Sequence, residues 1–453
     1  MREFLKRIFR PDRRRAFEAA AAGRRWDGLK ADGNLNAATF AGGAVLRKRA
    51  AHFVLNNPWI AQAVGSKVAN LIGTGIKPQS QHPDLQVREG INALWARWTG
   101  DADAAGLTSF GGLQAQIARA MILDGEGFAR FRIRRPEDGL SVPLQLQMLA
   151  AEQVDQSLHR NLDGDRRIRA GIEFDALGRR VAFHTFSQHP GDPLPVTLRP
   201  QRIPASEIMH VFPPLAAGQV RGVSGLAPVL LRLHELDQYE DATAVAQKVR
   251  ALFAGFITDA AGDGAGFGAD AGKEIIEHGL EPGTLRVLPP GTDITFSEPA
   301  TGGDSYADFV KVQLRAIAAG LGVTYEQLTG DMTGVNFSSA RVALIEFRRR
   351  IEALQEQVIV HQFCKPTWER FVRIAVLSGA LPAPGFERDP RPWLAVKWMP
   401  PGWDWVDPLK DIKADALAVA NHFKSRSEVI AARGWDPEMI DAEIAGDQKR
   451  ADR

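Results

Sequence analysis

The chain has 453 residues, 45% hydrophobic and 24% charged, with a formal net charge of +2. A length like this supports roughly two to four domains with substantial cores, and no apolar run is long enough to cross a bilayer. Charge near neutrality excludes a protein that coats nucleic acid with a uniformly basic surface, and the lone Cys364 excludes an intrachain disulfide and points to a reducing compartment.

The opening stretch MREFLKRIFRPDRRRAF carries Arg2, Lys6, Arg7, Arg10, Arg13, Arg14 and Arg15, with Phe4, Leu5, Ile8 and Phe17 at helical spacing. It lacks the apolar core and cleavage site of a secretory signal. It reads either as a solvated amphipathic helix or as a docking or membrane-surface arm. A helical pair follows, with Asn57-Pro58 as cap and first turn and Gly73 as terminator. From about 126 to 212 the apolar period becomes two: Ala129, Phe131 and Ile133 alternate with Arg130, Arg132 and Arg134, and Leu144, Leu146 and Met148 with Gln145 and Gln147. This predicts a half-exposed antiparallel sheet, with a hairpin around Asp175 to Gly178.

Leu226, Val229, Leu230, Leu233, Leu236 and Tyr239 then mark one face of a long helix, with Pro228 in its first turn. An acidic excursion comes next, where Asp259, Asp263, Asp270, Glu274, Glu277, Glu281, Asp293, Glu298, Asp304 and Asp308 face only Lys273 and Arg286. Short strands are expected at FAGFITD and GTLRVLPPGTDITF, and a helix returns along SYADFVKVQLRAIAAGLGV. A polar, glycine-bearing loop over 323–339 leads into a helix whose stripe is Leu344, Phe347, Ile351, Leu354 and Val358, with a kink at Pro366. Trp393, Trp398, Trp403 and Trp405 suggest an anchoring strand and loop. Short C-terminal helices begin at Asp407-Pro408, at a Ser425–Glu428 capping box and at Asp436-Pro437, with Gly434 as a stop.

The case for catalysis is thin. GAGFGA, Gly264 to Ala269, is a permissive dinucleotide fingerprint without a βαβ frame and amid carboxylates that would repel a pyrophosphate. It supports a nucleotide-binding enzyme only as the rival reading, against a surface loop. No phosphate-binding G-x-x-x-x-G-K-[ST], G-x-S-x-G or H-E-x-x-H occurs. His361 and Cys364 sit three apart, but two ligands alone make a weak metal site. No cofactor, metal or catalytic residue is expected.

The order of LNNPWIAQAVGSKVANLIGTGIKP, RGVSGLAPVLLRLHELDQYEDA, LEPGTLRVLPPGTDITFSEP, YADFVKVQLRAIAAGLGVTYEQLTGDMTGVNFSSARVALIEFRRRIE and PPGWDWVDPLKDIKADALAV resembles the lambda-type portal proteins of tailed bacteriophages along nearly the whole chain. The resemblance implies an α+β portal fold and a homo-oligomeric ring, typically a dodecamer, at one capsid vertex. By that likeness, residues 1–223 are arm and wing, 224–250 and 304–322 the stem helices, and 251–303 a β-containing clip. Residues 323–339 are the channel (tunnel) loop, 340–406 the long wing helix and Trp-rich segment, and 407–453 the crown. The partners implied are double-stranded DNA in transit, the terminase large subunit, head-completion or adaptor proteins, and major capsid and scaffold proteins, with no membrane. The place implied is the virion, and the host cytoplasm during assembly.

A conduit must hold DNA yet let it move, whereas cationic walls bind a duplex by counterion release. The expected contact residues are therefore the uncharged Met332, Thr333, Gly334, Val335, Asn336 and Phe337. The acidic face Asp259, Asp263, Asp270, Glu274, Glu277 and Glu281 would centre the polyanion by repulsion. Arg348, Arg349 and Arg350 are assigned either to a partner contact or to a solvated helix face.

Overall fold

Asn34 accepts from the N–H groups of Asn36 and Ala37 and so caps α1 (Leu35–Asn56). Asn57 closes that helix through its N–H to Phe53 O (2.8 Å) and caps α2 (Pro58–Ile72) by accepting from Ile60 N (3.2 Å), with Pro58 in the first turn and Gly73 past the end. The computed structural model describes residues 33–194, 199–251, 255–259, 292–296, 306–403 and 408–451. The basic N-terminal arm and the GAGFGA loop lie outside them.

After β1 (Lys77–Ser80), α3 (Leu85–Asp101) and α4 (Phe110–Leu123) come eight consecutive strands that build two small antiparallel sheets. β2 (Gly127–Ile133), β3 (Leu144–Leu149), β4 (Arg160–Asn161), β5 (Arg167–Arg169), β6 (Ile172–Phe174), β7 (Arg180–Thr185) and β8 (Gln201–Pro204) precede β9 (Ile208–Val211). The order is β3-β2-β9 in one sheet and β4-β5-β6-β7-β8 in the other. The period-two signal thus belongs to two sheets rather than one. Nor is β2 cleanly half-exposed: Phe128 and Ala129 are both buried, on opposite faces, while Ile133 is 63% exposed at the strand end. β2 starts between two packed layers and finishes at the rim, which local alternation does not encode. The β6–β7 hairpin at Asp175–Gly178 forms as expected, with a bulge beside Phe174.

The main core gathers aromatic side chains from distant segments. Trp95 and Trp98 of α3 pack with Phe110, Phe363, Trp368 and Phe371, and Phe110 stacks on Phe363 at 5.6 Å. Each such ring pair adds about 0.5–1.5 kcal/mol beyond its buried area. Two of the indole N–H groups find carbonyls, Trp98 that of Leu144 (2.7 Å) and Trp368 that of Leu394 (3.2 Å).

A charged node sits where the two sheets meet. Glu126 and Arg221 are both sealed from solvent, 2.6 Å apart, and Glu126 also receives the Gly222 N–H (2.9 Å) and His210 Nε2 (2.9 Å). Arg221 donates onward to the carbonyls of Ala151 and Ala170, both at 2.9 Å, so it stitches chain segments that the sheets leave apart. Two glycines permit the crossing. Gly125 has φ 85°, and a Cβ there would lie 2.1 Å from the Val223 carbonyl carbon; one on Gly222 would lie 2.1 Å from Gly125 O. Burial raises the Glu126 pKa, but Arg221 and His210 outweigh it and hold the carboxyl well below the usual range. Burial lowers the His210 pKa to about 4 against the opposing pull of Glu126.

α5 (Leu230–Ala251) begins a turn later than the sequence suggested. Ser224 to Val229 close i→i+3 turns (Ala227 N to Ser224 O 3.1 Å, Val229 N to Leu226 O 2.9 Å), and i→i+4 bonding starts with Leu230 N to Leu226 O. Pro228 has no N–H to give and restrains the residue before it, so it stands ahead of the helix. The expected face is buried from Leu226 to Leu236, and beyond it the helix runs out half-buried or exposed. β10 (Gly255–Asp259) and β11 (Thr292–Phe296) pair antiparallel at the base of the excursion, and α6 (Tyr306–Leu321) returns beside α5. Asp263, Asp270, Glu274, Glu277 and Glu281 lie outside the described residues, as does the side chain of Asp259.

The segment 323–339 is not one loop. It contains α7 (Tyr325–Thr329), and α8 (Phe337–Leu354) starts at Phe337. The stripe is as read, with Phe347 and Ile351 buried on α8 and Val358 buried just beyond its end. Its expected kink at Pro366 is instead a π-helical stretch, Gln355–Cys364, followed by α9 (Lys365–Leu377) with Pro366 in the first turn. The i→i+5 register, seen in Lys365 N to Val360 O, absorbs the missing proline N–H upstream of the ring itself. Cys364 is fully buried, receives Gln114 Nε2 at 3.5 Å and has its thiol pKa pushed well above the usual range by burial, whereas His361 is exposed. The two do not converge, and no metal-type cluster occurs among the described residues.

α10 (Arg391–Leu394) and β12 (Val396–Met399) follow, and β12 pairs with β1, so Trp398 lies on the strand anticipated, while Trp405 is outside the described residues. α11 (Pro408–Ala420), α12 (Arg426–Ala431) and α13 (Pro437–Ala451) end the chain. Only half of the Ser425–Glu428 capping box is made, Ser425 Oγ accepting from Glu428 N at 3.0 Å. No described helix is long and apolar enough to cross a membrane.

Candidate functional site

The loop that survives between α7 and α8 is 330–336, and both of its ends are fastened. At the entry, Thr324 and Gln327 form a reciprocal capping box: Thr324 Oγ1 accepts from Gln327 N (3.2 Å) and Gln327 Oε1 from Thr324 N (3.0 Å). Leu328, fully buried, pins this short helix to the core, and Gly330 at φ 72° closes it with its N–H on Glu326 O (2.8 Å). At the exit, Asn336 O accepts from Ala340 N (3.0 Å) in the first turn of α8.

Within the loop Asp331 organises the turn. Its carboxylate accepts from Thr333 N (2.9 Å), Thr333 Oγ1 (2.5 Å) and Tyr325 Oη (3.4 Å), while its own N–H goes to Thr329 Oγ1 (3.1 Å). The Thr333 hydrogen bonds hold its pKa below the ordinary aspartate value. Lys311 and Arg315 of α6 lie 5.9 and 5.7 Å from the Tyr325 ring centre, so these two cations face an aromatic ring at the loop root.

The expected contact residues therefore divide. Met332, Thr333, Gly334 and Asn336 are exposed, Met332 by 63%, and Val335 is half-buried. Phe337 belongs to the helix, and its side chain lies outside the described part. Residues 332–336 contain no ionisable side chain.

The triple arginine also resolves into separate roles. Arg348 lies 5.2 Å over the Trp403 ring, whose Nε1 donates to Glu352 (3.0 Å), and Arg349 pairs with Glu346 at 3.1 Å. Arg350 faces the half-buried Lys67, whose ammonium donates to Leu321 O (3.0 Å); burial first, then Arg350, lowers the Lys67 pKa.

Sequence reading missed the loop root (Thr324, Gln327, Tyr325, Asp331) and the node of Glu126, His210 and Arg221. The T-x-x-Q spacing was a usable signal for the first. The second joins residues 84 and 95 apart in the chain, and nothing local marks it.

A sequence model described as "Phage portal protein, lambda family" matches residues 22–355. The probable portal protein of Halomonas phage phiHAP-1 is 28% identical over 448 residues, covering 94% of this chain and 84% of that protein. The portal protein of Escherichia phage N15 is 26% identical over 444 residues, covering 87% and 82%. Among solved structures, a chain from the neck of a native GTA particle has a TM-score of 0.47 at 17% identity, covering 87% of this chain and 94% of that one.

Proposed function

Because this chain belongs to the lambda family of phage portal proteins, we propose that copies of it close into a ring, of about twelve as is typical of that family, whose bore passes double-stranded DNA into and out of a capsid. On this reading the role is structural rather than catalytic, and a separate terminase does the pumping. The α5–α6 pair is the stem, the β10–β11 excursion the base of a clip that meets terminase and later head-completion proteins, and α11–α13 the crown. The strands and α1–α4 form the wing, facing capsid and scaffold proteins at the virion vertex.

The observation that carries this reading is the 330–336 loop. It presents exposed, uncharged side chains on a short span held by capped helices at both ends. That suits a surface which touches a polyanion without retaining it: it offers no cation for counterion exchange, and its fixed ends limit how far the tip can be dragged. The acidic sequence from Asp259 to Glu281 adds repulsion of phosphate to this reading.

The test is Thr333→Lys, which adds one cation per subunit at the tip and leaves the Asp331 backbone turn possible. Rings should still assemble, as seen by electron microscopy, while packaging slows and DNA retention gains a steeper salt dependence. Packaging and retention indistinguishable from wild type would remove DNA contact from this loop. Particles that never form rings would remove the portal assignment altogether.

A further inference from the structure

A pocket of about 560 Å³ lies between the β6–β7 hairpin and the segment 212–220, well apart in sequence from the loop above, and no Asp or Glu lines it. Arg167, Arg180 and His361 supply its charge or potential charge, and Phe174 and Phe212 its apolar walls. The guanidinium carbons of Arg167 and Arg180 lie 5.6 and 5.8 Å from the Phe174 ring centre, and Arg180 is also 5.7 Å from that of Phe212. Such a contact uses the face of a guanidinium and leaves its in-plane N–H donors available. Arg180 commits one donor to Gln219 O at 3.0 Å. The Arg167 guanidinium makes no ion pair and no hydrogen bond among the described residues.

We propose that this pocket receives an acidic peptide segment of a partner protein, its carboxylate between Arg167 and Arg180 and its apolar side chain on Phe174 and Phe212. The complement required is an anion joined to an apolar side chain. A peptide carries both, whereas a phosphodiester backbone carries only the anion. Two arginines also neutralise few phosphates, and affinity for a duplex grows with the number neutralised. The volume falls in the range of sites that enclose a few side chains. This inference does not depend on the channel reading.

The experiment uses the full-length protein and a fluorescein-labelled short peptide of alternating glutamate and phenylalanine, followed by anisotropy. The matched lysine–phenylalanine peptide and an oligothymidylate are measured beside it. The acidic peptide should bind, the lysine peptide should not, and the Arg167→Gln/Arg180→Gln double variant should weaken binding by about tenfold or more. Arg167 is exposed, so Arg167→Glu is expected to keep the fold, as circular dichroism would check, and should alone abolish binding if the double variant is unstable. No binding of the acidic peptide, or binding that these variants leave unchanged, would overturn the proposal. Oligothymidylate binding that depends on the same arginines would overturn it too, in favour of a nucleic-acid site.

Discussion

Glu126 and Asp331 are both carboxylates that accept several hydrogen bonds and both titrate below their ordinary values, yet they serve opposite ends. Glu126 is sealed between two sheets with Arg221, His210 and the Gly222 N–H around it. Asp331 shapes an exposed turn through Thr333 and Tyr325. Where water is excluded, an ion pair commits its surroundings, because removing either partner strands the other without solvation. Where water is present, the same bonds only choose one loop shape among several. The node around Glu126 is accordingly a fixed joint of the fold, while the loop of Asp331 is replaceable detail on a firm mount.

The most severe test of that contrast is Arg221→Ala, which should cost about 3–5 kcal/mol by leaving Glu126 buried without its closest cation, with only Arg47 at 3.8 Å to offset the charge. Denaturant unfolding of the variant measures it. A loss under about 1 kcal/mol would mean water reaches the node. Next, Leu328→Ala removes the anchor of α7 and should cost about 2–4 kcal/mol in the same assay, so that the mount, unlike the loop, behaves as core.

A pH experiment sharpens the comparison by separating two groups with opposed slopes. His210, with a pKa of about 4 in the fold against 6.5 as an ordinary histidine, resists protonation when folded. Its contribution is whole above pH 6.5 and is lost as pH falls toward 4, about 3 kcal/mol in total. Asp124 runs the other way. Burial, with Glu152 and Glu126 nearby and Arg47 opposing, lifts its pKa from 3.8 to about 7, so stability declines as pH rises across that window. Asp124→Asn should therefore leave a protein that destabilises on acidification below pH 6.5. His210→Gln should leave one that destabilises as pH climbs from 4 to 7. Identical profiles for the two variants would show that neither group titrates as its surroundings imply.

The smallest effect is expected from Asp331→Ala. Global unfolding should not move, while limited proteolysis within 332–336 should quicken as the turn loses its Thr333 bonds. A drop in the global midpoint would erase the distinction between joint and detail.

Much of this was legible from the residues in order. The caps Asn57-Pro58 and Asp436-Pro437, the α8 stripe, the 175–178 hairpin and the Trp-rich anchor are short-range statements, and the chain obeys them. The uncharged tip 332–336 was equally visible. The failures share a cause as well. One sheet became two, the kink moved upstream into a π-helical stretch, α7 emerged inside a presumed loop, and α5 lost its first turn to Pro228.

In each case a neighbour distant in sequence supplied the deciding partner. Leu328 makes a helix worthwhile because a core receives it, and Phe128 and Ala129 are both buried because layers close on both sides. Sequence alone therefore determined periodicity, caps and the sign and placement of charge, since these depend on residues a few positions apart. Tertiary structure alone decided which carboxylate is desolvated and which arginine is left to offer its donors. That choice depends on which segments exclude water from one another, and Gly125 and Gly222, which let two backbones touch, are where this chain makes it.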